Sequence, residues 1–496
     1  MKPFGTITMD FSFIETSTRE VLEKVLQESH NYAEFTKALG RIAISEDASD
    51  EIVLLAIRHA NNLNLGEFEL NILNSNAERR VVLPFLLSRQ ASNDTGWDLA
   101  IKATEEAIEQ VEEDWLTFLY LLQLYWIAIM TGFGNPLEET TQIRIKEMLE
   151  KNPSLNCYSG KFHLYHVFRL KQEGDIPRAL DSCTQGLKTA EIFDDKLYES
   201  QLLCQKAELI GLFQFGPGST SAAKRILTKA RGICETLGDI QGLMSLQSLI
   251  QVICHIRAEY SEANEINYSI IENRTLVAQD LDINLHDTAF ILNELGNGRE
   301  ALEMAMLALE GAGRRPLLLP YCHMDVAWSL INLNRLDEAA HQMDLARDFI
   351  LHSGIESTIA YEYMINGLLE RARGDFQSAF HSFEKALIIN ERNHRYNRAN
   401  SCLIKLAETE VLAFEKTSKN RDDEVAGKWH ARLEKFGREM ELPGVVGIEL
   451  LLRGELRLKQ GHEIEARDCI EKALQMADSP GLAFLKKRTI RVLNLF

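Results

Sequence analysis

From Tyr361 to Leu387 the chain reads YEYMINGLLERARGDFQSAFHSFEKAL, two helical runs broken by one turn. Gly367 lies on the first run. Ala379, Phe383 and Ala386 follow on the second at spacings of four and three, which puts them on one helix face. Small residues on facing stripes let two antiparallel helices approach closely, and Gly374 supplies the backbone freedom that reverses the chain between them. The pattern predicts a helical hairpin.

The same register returns along most of the sequence. The small residue after the turn recurs as Ala100, Thr140, Ala179, Ala223, Ala263, Ala301, Ala339, Ala379, Ala426 and Ala466, at spacings of 38 to 47 residues. Seven positions later come Ala107, Ala230, Ala308, Ala346, Ala386 and Ala473; twelve earlier come Gly211, Ala289, Ala327, Gly367 and Gly454. Turn glycines stand five before it, at Gly174, Gly218, Gly296, Gly374 and Gly461. A unit repeated at this period predicts an all-helical array whose neighbouring pairs bury a continuous core. The widest gap carries a charged insertion, Glu415 to Asp423, which reads as a solvated loop.

Residues 374–387 (Gly-Asp-Phe-x-x-Ala-x-x-x-Phe-x-x-Ala-Leu) and 461–474 (Gly-His-Glu-x-x-Ala-x-x-x-Ile-x-x-Ala-Leu) resemble the tetratricopeptide repeat. The period is longer than the standard one and is similar to that of MalT-type regulators and cell-polarity adaptors. The resemblance implies an all-α fold, an α-α superhelix, whose inner face binds protein or peptide partners.

Three regions are expected. Residues 1–93 form a helical module with an extended arm, where Ile7, Met9, Phe11 and Phe13 alternate with polar residues as in a short strand. Helices follow a capping box at Ser17–Glu20 and near 32–44, 49–62 and 78–90, with an asparagine-rich connector between the last two. Residues 94–481 form the repeat array, and 482–496 a C-terminal capping helix.

Charge and chemistry then narrow the function. With 54 basic and 73 acidic residues the net charge is -19, which argues against binding a phosphate backbone. The one helix-turn-helix-like run, from Ala38, leads into a helix bearing Glu46, Asp47, Asp50 and Glu51, the wrong sign for reading DNA. Eight cysteines form no C-x-x-C pair and read as reduced core residues, and the N-terminus lacks the form of a signal peptide, so a cytoplasmic location is expected. No hydrolase, zincin, P-loop or kinase motif occurs, and neither enzyme activity nor a cofactor is expected. His163 and His166 share a helix face without a third ligand and read as core histidines, so no metal is expected. Trp115 to Met130 is apolar all round but short for a membrane span, so it needs cover. The first ninety residues are the favoured cover; a homodimer and a membrane are the alternatives.

One stripe carries the binding expectation. His286, Phe290 and Asn293, then Tyr321, Met324, Trp328 and Ile331, then Tyr361, Met364, Leu368 and Arg371 fall at helical spacing on the first helices of three successive pairs. Read as filler, they pack neighbouring helices together. Read as a concave face, they form a methionine- and aromatic-rich groove for an apolar peptide or amphipathic helix. A scaffold is the expected role, and a peptide-sensing regulator that switches an effector is the alternative.

Overall fold

In the computed structural model the chain is α-helical, with no β-strand among the described residues. These are 16–496 apart from 64–65, 92–93, 132–135, 277–281, 313–317, 354–355, 394, 418–426 and 495. The strand expected at 7–13, Ala426 and most of the charged insertion lie outside them. The chain divides into two compact units, residues 1–209 with 225–246, and residues 210–224 with 247–496.

The first unit runs through α1 (Thr16–Glu28), α2 (Tyr32–Ala43), α3 (Asp50–Asn62), α4 (Gly66–Ser75), α5 (Leu83–Gln90), α6 (Asp94–Gln110), α7 (Asp114–Met130), α8 (Pro136–Lys151), α9 (Gly160–Gln172), α10 (Ile176–Ile192) and α11 (Lys196–Glu208). It also holds residues from 225 in α12 (Ser219–Leu237) and to 246 in α13 (Ile240–Ile256). Helix α4 forms inside the expected connector. Its Glu69, Ile72 and Leu73 are buried on one side, and the Asn76 amide donates to the Ala43 and Ile72 carbonyls. Asparagine there fastens a helix end instead of marking a loop.

Helix α7 finds its cover in the chain itself. Phe118, Leu119, Leu122 and Tyr125 share one core with Leu22, Phe35, Leu39, Val53, Leu54 and Ile57 from the first helices. The Tyr120 hydroxyl donates to the Val81 carbonyl at 3.1 Å, and Tyr120 packs on Phe85. No helix among the described residues is long and apolar enough to cross a membrane.

The second unit continues with α14 (Tyr260–Leu276), α15 (Asp282–Glu294), α16 (Gly298–Gly311), α17 (Leu319–Asn332), α18 (Leu336–Ser353), α19 (Glu356–Arg373), α20 (Phe376–Arg392), α21 (Tyr396–Thr417), α22 (Lys428–Glu439), α23 (Pro443–Lys459), α24 (Glu463–Met476) and α25 (Ala483–Leu493). Consecutive helices pair as α15 with α16, α17 with α18, α19 with α20 and α23 with α24, and the last helix packs on α24, α23 and α14.

The repeat register holds at the level of single residues. Gly174, Gly218, Gly296, Gly374 and Gly461 all take positive φ, between 69° and 85°. Ala179, Ala223, Ala263, Ala301, Ala339, Ala379 and Ala466 are fully buried. A Cβ built on Gly367 would lie 2.8 Å from the Phe383 ring, and one on Gly454 would lie 2.4 Å from Ile470. The exception is Thr140, which is exposed; Thr141 is buried in its place. Helix α8 is therefore one residue out of the inferred register, because buried Glu138 pairs with Arg169 and sets which side of α8 faces inward.

Candidate functional site

The stripe falls as expected on α15, α17 and α19, which lie side by side. Phe290 meets Trp328 edge-on with ring centroids 5.2 Å apart, and Tyr321 stacks on Tyr361 at 5.8 Å. All of the stripe except Tyr321, Ile331 and Arg371 is buried; Trp328 is 1% exposed and Tyr361 0%. These rings do not form an open groove.

Their cover is α21, four helices beyond α17. The Arg398 guanidinium lies 4.2 Å from the Tyr361 ring centre, 4.9 Å from Phe290 and 5.6 Å from Tyr321. Lys405, two turns on, stands 5.7 Å over Trp328 and donates to Glu294 at 2.8 Å. Ser401 and Asn400 on the same helix bond to the His255 ring and the Ile256 carbonyl of α13. A desolvated cation over an aromatic face contributes roughly 0.5–2 kcal/mol, so Arg398 is a strong fastener. Sequence reading passed over this helix. The available signal was Arg398, Ser401, Cys402 and Lys405 recurring at helical spacing among apolar neighbours.

Beneath the rings lies a polar cluster. Fully buried Asp325 bonds to the His286 Nδ1 and accepts from the Tyr361 hydroxyl. Burial opposes charge on His286, yet the adjacent Asp325 carboxylate outweighs it and raises the imidazole pKa above its ordinary value. Asn293 donates to Ser329 Oγ at 3.1 Å and accepts from Asn332 at 3.0 Å.

Toward the C-terminal ends of α15, α17 and α19 the packing leaves a chamber of about 270 Å³. Four stripe residues line it, Asn293, Trp328, Leu368 and Arg371, together with Tyr260, Glu294, Lys405, Glu408, Phe484 and Arg488. Helix C-terminal ends favour cations, and three converge here. Arg371 pairs with Glu408 at 3.1 Å, and Arg488 bridges Glu408 and Glu455 at 3.2 and 3.3 Å. Burial works against charge on Glu408, but Lys405, Arg371 and Arg488 outweigh it and hold its carboxyl well below the usual range. Glu294 Oε1 is buried with no hydrogen-bond partner, and exposed Gly296 and Asn332 mark the rim.

Other candidate chemistry is accounted for by packing. Among the described residues one group has ligand-like spacing, Cys254, Glu259 and Glu262. Lys224 Nζ lies 3.0 and 2.8 Å from the two carboxylates, and burial raises the thiol pKa further from a metal-binding thiolate. His166 bonds to the Tyr125 hydroxyl at 3.0 Å and stacks on Phe162, while His163 packs against Gly186. Burial lowers both imidazoles to about 4. Before α12, the Gly218 turn faces the Glu441 carboxylate, and Arg257 donates to Thr220 and Ser221.

Paired helices, a repeating register of small residues and positive-φ turn glycines define the protein as a tetratricopeptide-like helical-repeat array. No protein-family model matches the chain, and no curated protein matches it in sequence. Among solved structures it is similar to a Rap protein complexed with Competence and Sporulation Factor, at 15% identity and a TM-score of 0.40 over 68% of this chain and 98% of that one. It is also similar to yeast Tom70, at 12% identity and a TM-score of 0.36 over 85% and 96% of the two chains. A third likeness is to a signal-transduction ATPase with a tetratricopeptide-repeat sensor from Pyrococcus horikoshii, at 14% identity and a TM-score of 0.31, over 97% of this chain and 68% of that one. These likenesses are distant, and the class rests on the chain's own register.

Proposed function

We propose that the protein is a non-enzymatic, cytoplasmic scaffold that binds a protein or peptide segment on the inner side of its second repeat unit. The observation that carries this reading is the chamber where Asn293, Trp328, Leu368 and Arg371 meet the charged groups of α21 and α25. Its size suits one or two side chains of an extended segment, with the rest of the segment lying outside the rim at Gly296 and Asn332. The three cations against Glu294 and Glu408 favour an acidic side chain, and the unpartnered Glu294 oxygen offers an acceptor for a guest N–H. The stripe's aromatic residues then support the chamber instead of touching the guest.

The cover by α21 favours a second reading, a peptide-sensing regulator in which a guest competes with Arg398 and Lys405 for the stripe. The two readings separate on one experiment. A displayed random-peptide library is panned on the purified chain, and enriched peptides are titrated by fluorescence polarisation on wild type and Arg371→Met. A scaffold yields acidic peptides whose affinity falls about tenfold in the variant. A regulator yields apolar peptides that bind more tightly to Arg398→Ala, whose cover is weakened. No enrichment, or equal affinity for all three proteins, overturns both.

A further inference from the structure

Helix α7 is buried along most of its surface, yet from Phe118 to Met130 three positions stay outside the buried set: Gln123, Trp126 and Met130. Spacings of three and four put them on one stripe. All three line a cavity of about 500 Å³ in the first unit, a volume that small-molecule sites have. Helix α9 packs on both α7 and α11, and all three contribute: Tyr165 from α9 and Gln205 from α11 join the α7 stripe in the lining.

Ring faces make the apolar part of the wall. Trp126 stacks on Tyr165 with ring centroids 4.8 Å apart at 27°, and Trp97 and Phe85 line the same space. Charge is engaged within the wall. Arg89 pairs with Glu69, and Lys161 stands 5.6 Å from the Tyr165 ring centre and has a further partner. A charged guest would have to break such contacts or lie desolvated, and both are costly.

Two amides supply the specific groups. The Ser88 hydroxyl donates to the Phe85 carbonyl at 2.9 Å, so in its 2.6 Å bond with Gln123 it accepts from Nε2. Gln123 Oε1 is then the acceptor left over, with no donor among the described residues. Lys171 can only donate, and its Nζ lies 3.0 Å from Gln205 Oε1. Gln205 Nε2 is then the donor left over, with no acceptor among the described residues. The cavity thus combines aromatic faces with one acceptor and one donor.

We propose that this cavity is a binding site for a small uncharged aromatic amide, its ring against Trp126, its N–H on Gln123 Oε1 and its C=O on Gln205 Nε2. The site is separate from the inner-face chamber and does not rest on the scaffold reading. A flat ring covers the α7 stripe, where the flexible Met130 side chain follows its outline, and the amide edge uses both leftover groups. A hydrocarbon would leave those groups unpaired, and an acid or amine would compete with the Arg89–Glu69 pair.

The test uses the full chain and 2-quinolone, a planar ring with an amide edge, in calorimetric titrations and ligand-observed NMR. The comparisons are N-methyl-2-quinolone, which lacks the N–H, and the charged quinoline-2-carboxylate and 2-(aminomethyl)quinoline. The expected result is saturable binding of 2-quinolone, about tenfold weaker for the N-methyl compound and weaker still for the charged pair. Gln123→Met should weaken 2-quinolone about tenfold and leave the N-methyl compound unchanged, whereas Gln205→Met should weaken both. Circular dichroism on both variants separates a lost site from a lost fold. A charged compound that binds as tightly as 2-quinolone, or equal binding of 2-quinolone and its N-methyl derivative, overturns the proposal. So does the absence of saturable 2-quinolone binding to the folded chain, or unchanged binding in folded Gln123→Met.

Discussion

Asp325 shows how much a single buried group can organise. It is 0% exposed, bonds to His286 on the preceding first helix and accepts from Tyr361 on the following one, so it ties three repeats together. Asp325→Ala would leave a buried imidazole and a buried phenol without their acceptor. The expected loss is about 3–5 kcal/mol, as for breaking a buried pair, whereas Asp325→Asn keeps an acceptor oxygen and should cost clearly less. Urea denaturation of both variants checks this, and equal costs would show that packing and not hydrogen bonding decides at this position. None of this was legible beforehand. The sequence stripe contains His286 and Tyr361, on first helices either side of α17, but Asp325 reads in sequence as an ordinary polar position between Met324 and Val326. A carboxylate's partners lie on other helices, some 36 to 39 residues away, and periodicity along one helix does not report them.

Helix pairing was the most legible level, because small residues must sit where backbones approach and glycine must sit where φ is positive. Those two needs predict different outcomes for the same substitution. Gly374→Ala meets no atom within 4 Å, so its cost is backbone strain alone at φ +84°, about 1–2 kcal/mol. Gly454→Ala has ordinary helical backbone but its methyl would lie 2.4 Å from Ile470, so it must push α23 from α24 at about 1–3 kcal/mol. Ile470→Ala, which removes the Cγ1 that the methyl would strike, should make the added cost of Gly454→Ala smaller and leave that of Gly374→Ala unchanged, as thermal melts of the double variants would show; a smaller added cost for both would refute the distinction. The same reasoning explains the two misreadings. Thr140 was assigned by counting forty residues, but in α8 the buried Glu138–Arg169 pair fixes the inward side and selects Thr141. Helix α4 was hidden because asparagines that cap and fasten a helix look, in sequence, like asparagines that break one. The cover of the stripe by α21 was hidden for a third reason, since repeat register predicts contact with the adjoining α19 and not the contacts with α17 and α15, two and three first helices away.

Titration of buried groups couples the fold as a whole to pH. His59 bonds to the Tyr32 hydroxyl within the first unit, and burial, with Arg58 adding to it, lowers its pKa to about 3. In the second unit burial, with Arg398 and Lys405 adding to it, lowers His255 to about 3. A histidine whose folded pKa lies below its unfolded value contributes its full stability above about pH 6.5 and loses it as pH falls below that value, because only the unfolded chain takes up the proton. Each of the two therefore removes up to about 1.4 kcal/mol per pH unit on acidification. Four carboxyl groups act the other way: burial raises Asp195 and Asp239 to about 6 in the first unit and raises Asp287 and Glu410 in the second, so on acidification the folded chain takes up their protons first and gains stability. The less enclosed His163 and His166 lie in the first unit. In the second unit His286 is raised, so its contribution is complete below pH 6.5 and fades as pH rises through its folded value. The second unit should accordingly be most stable near pH 6.5, with His255 setting the acid side and His286 the alkaline side. Hydrogen exchange of the α15–α21 core from pH 5 to 8.5, corrected for intrinsic rates, measures this directly. His255→Gln should flatten the acid side and His286→Gln the alkaline side. Because Asp287 and Glu410 offset part of the acid limb, the deciding comparison is with the variant: an acid side that His255→Gln leaves unchanged would show that His255 is solvated or charged in the folded chain, and its neutral, ring-packed environment would be wrong.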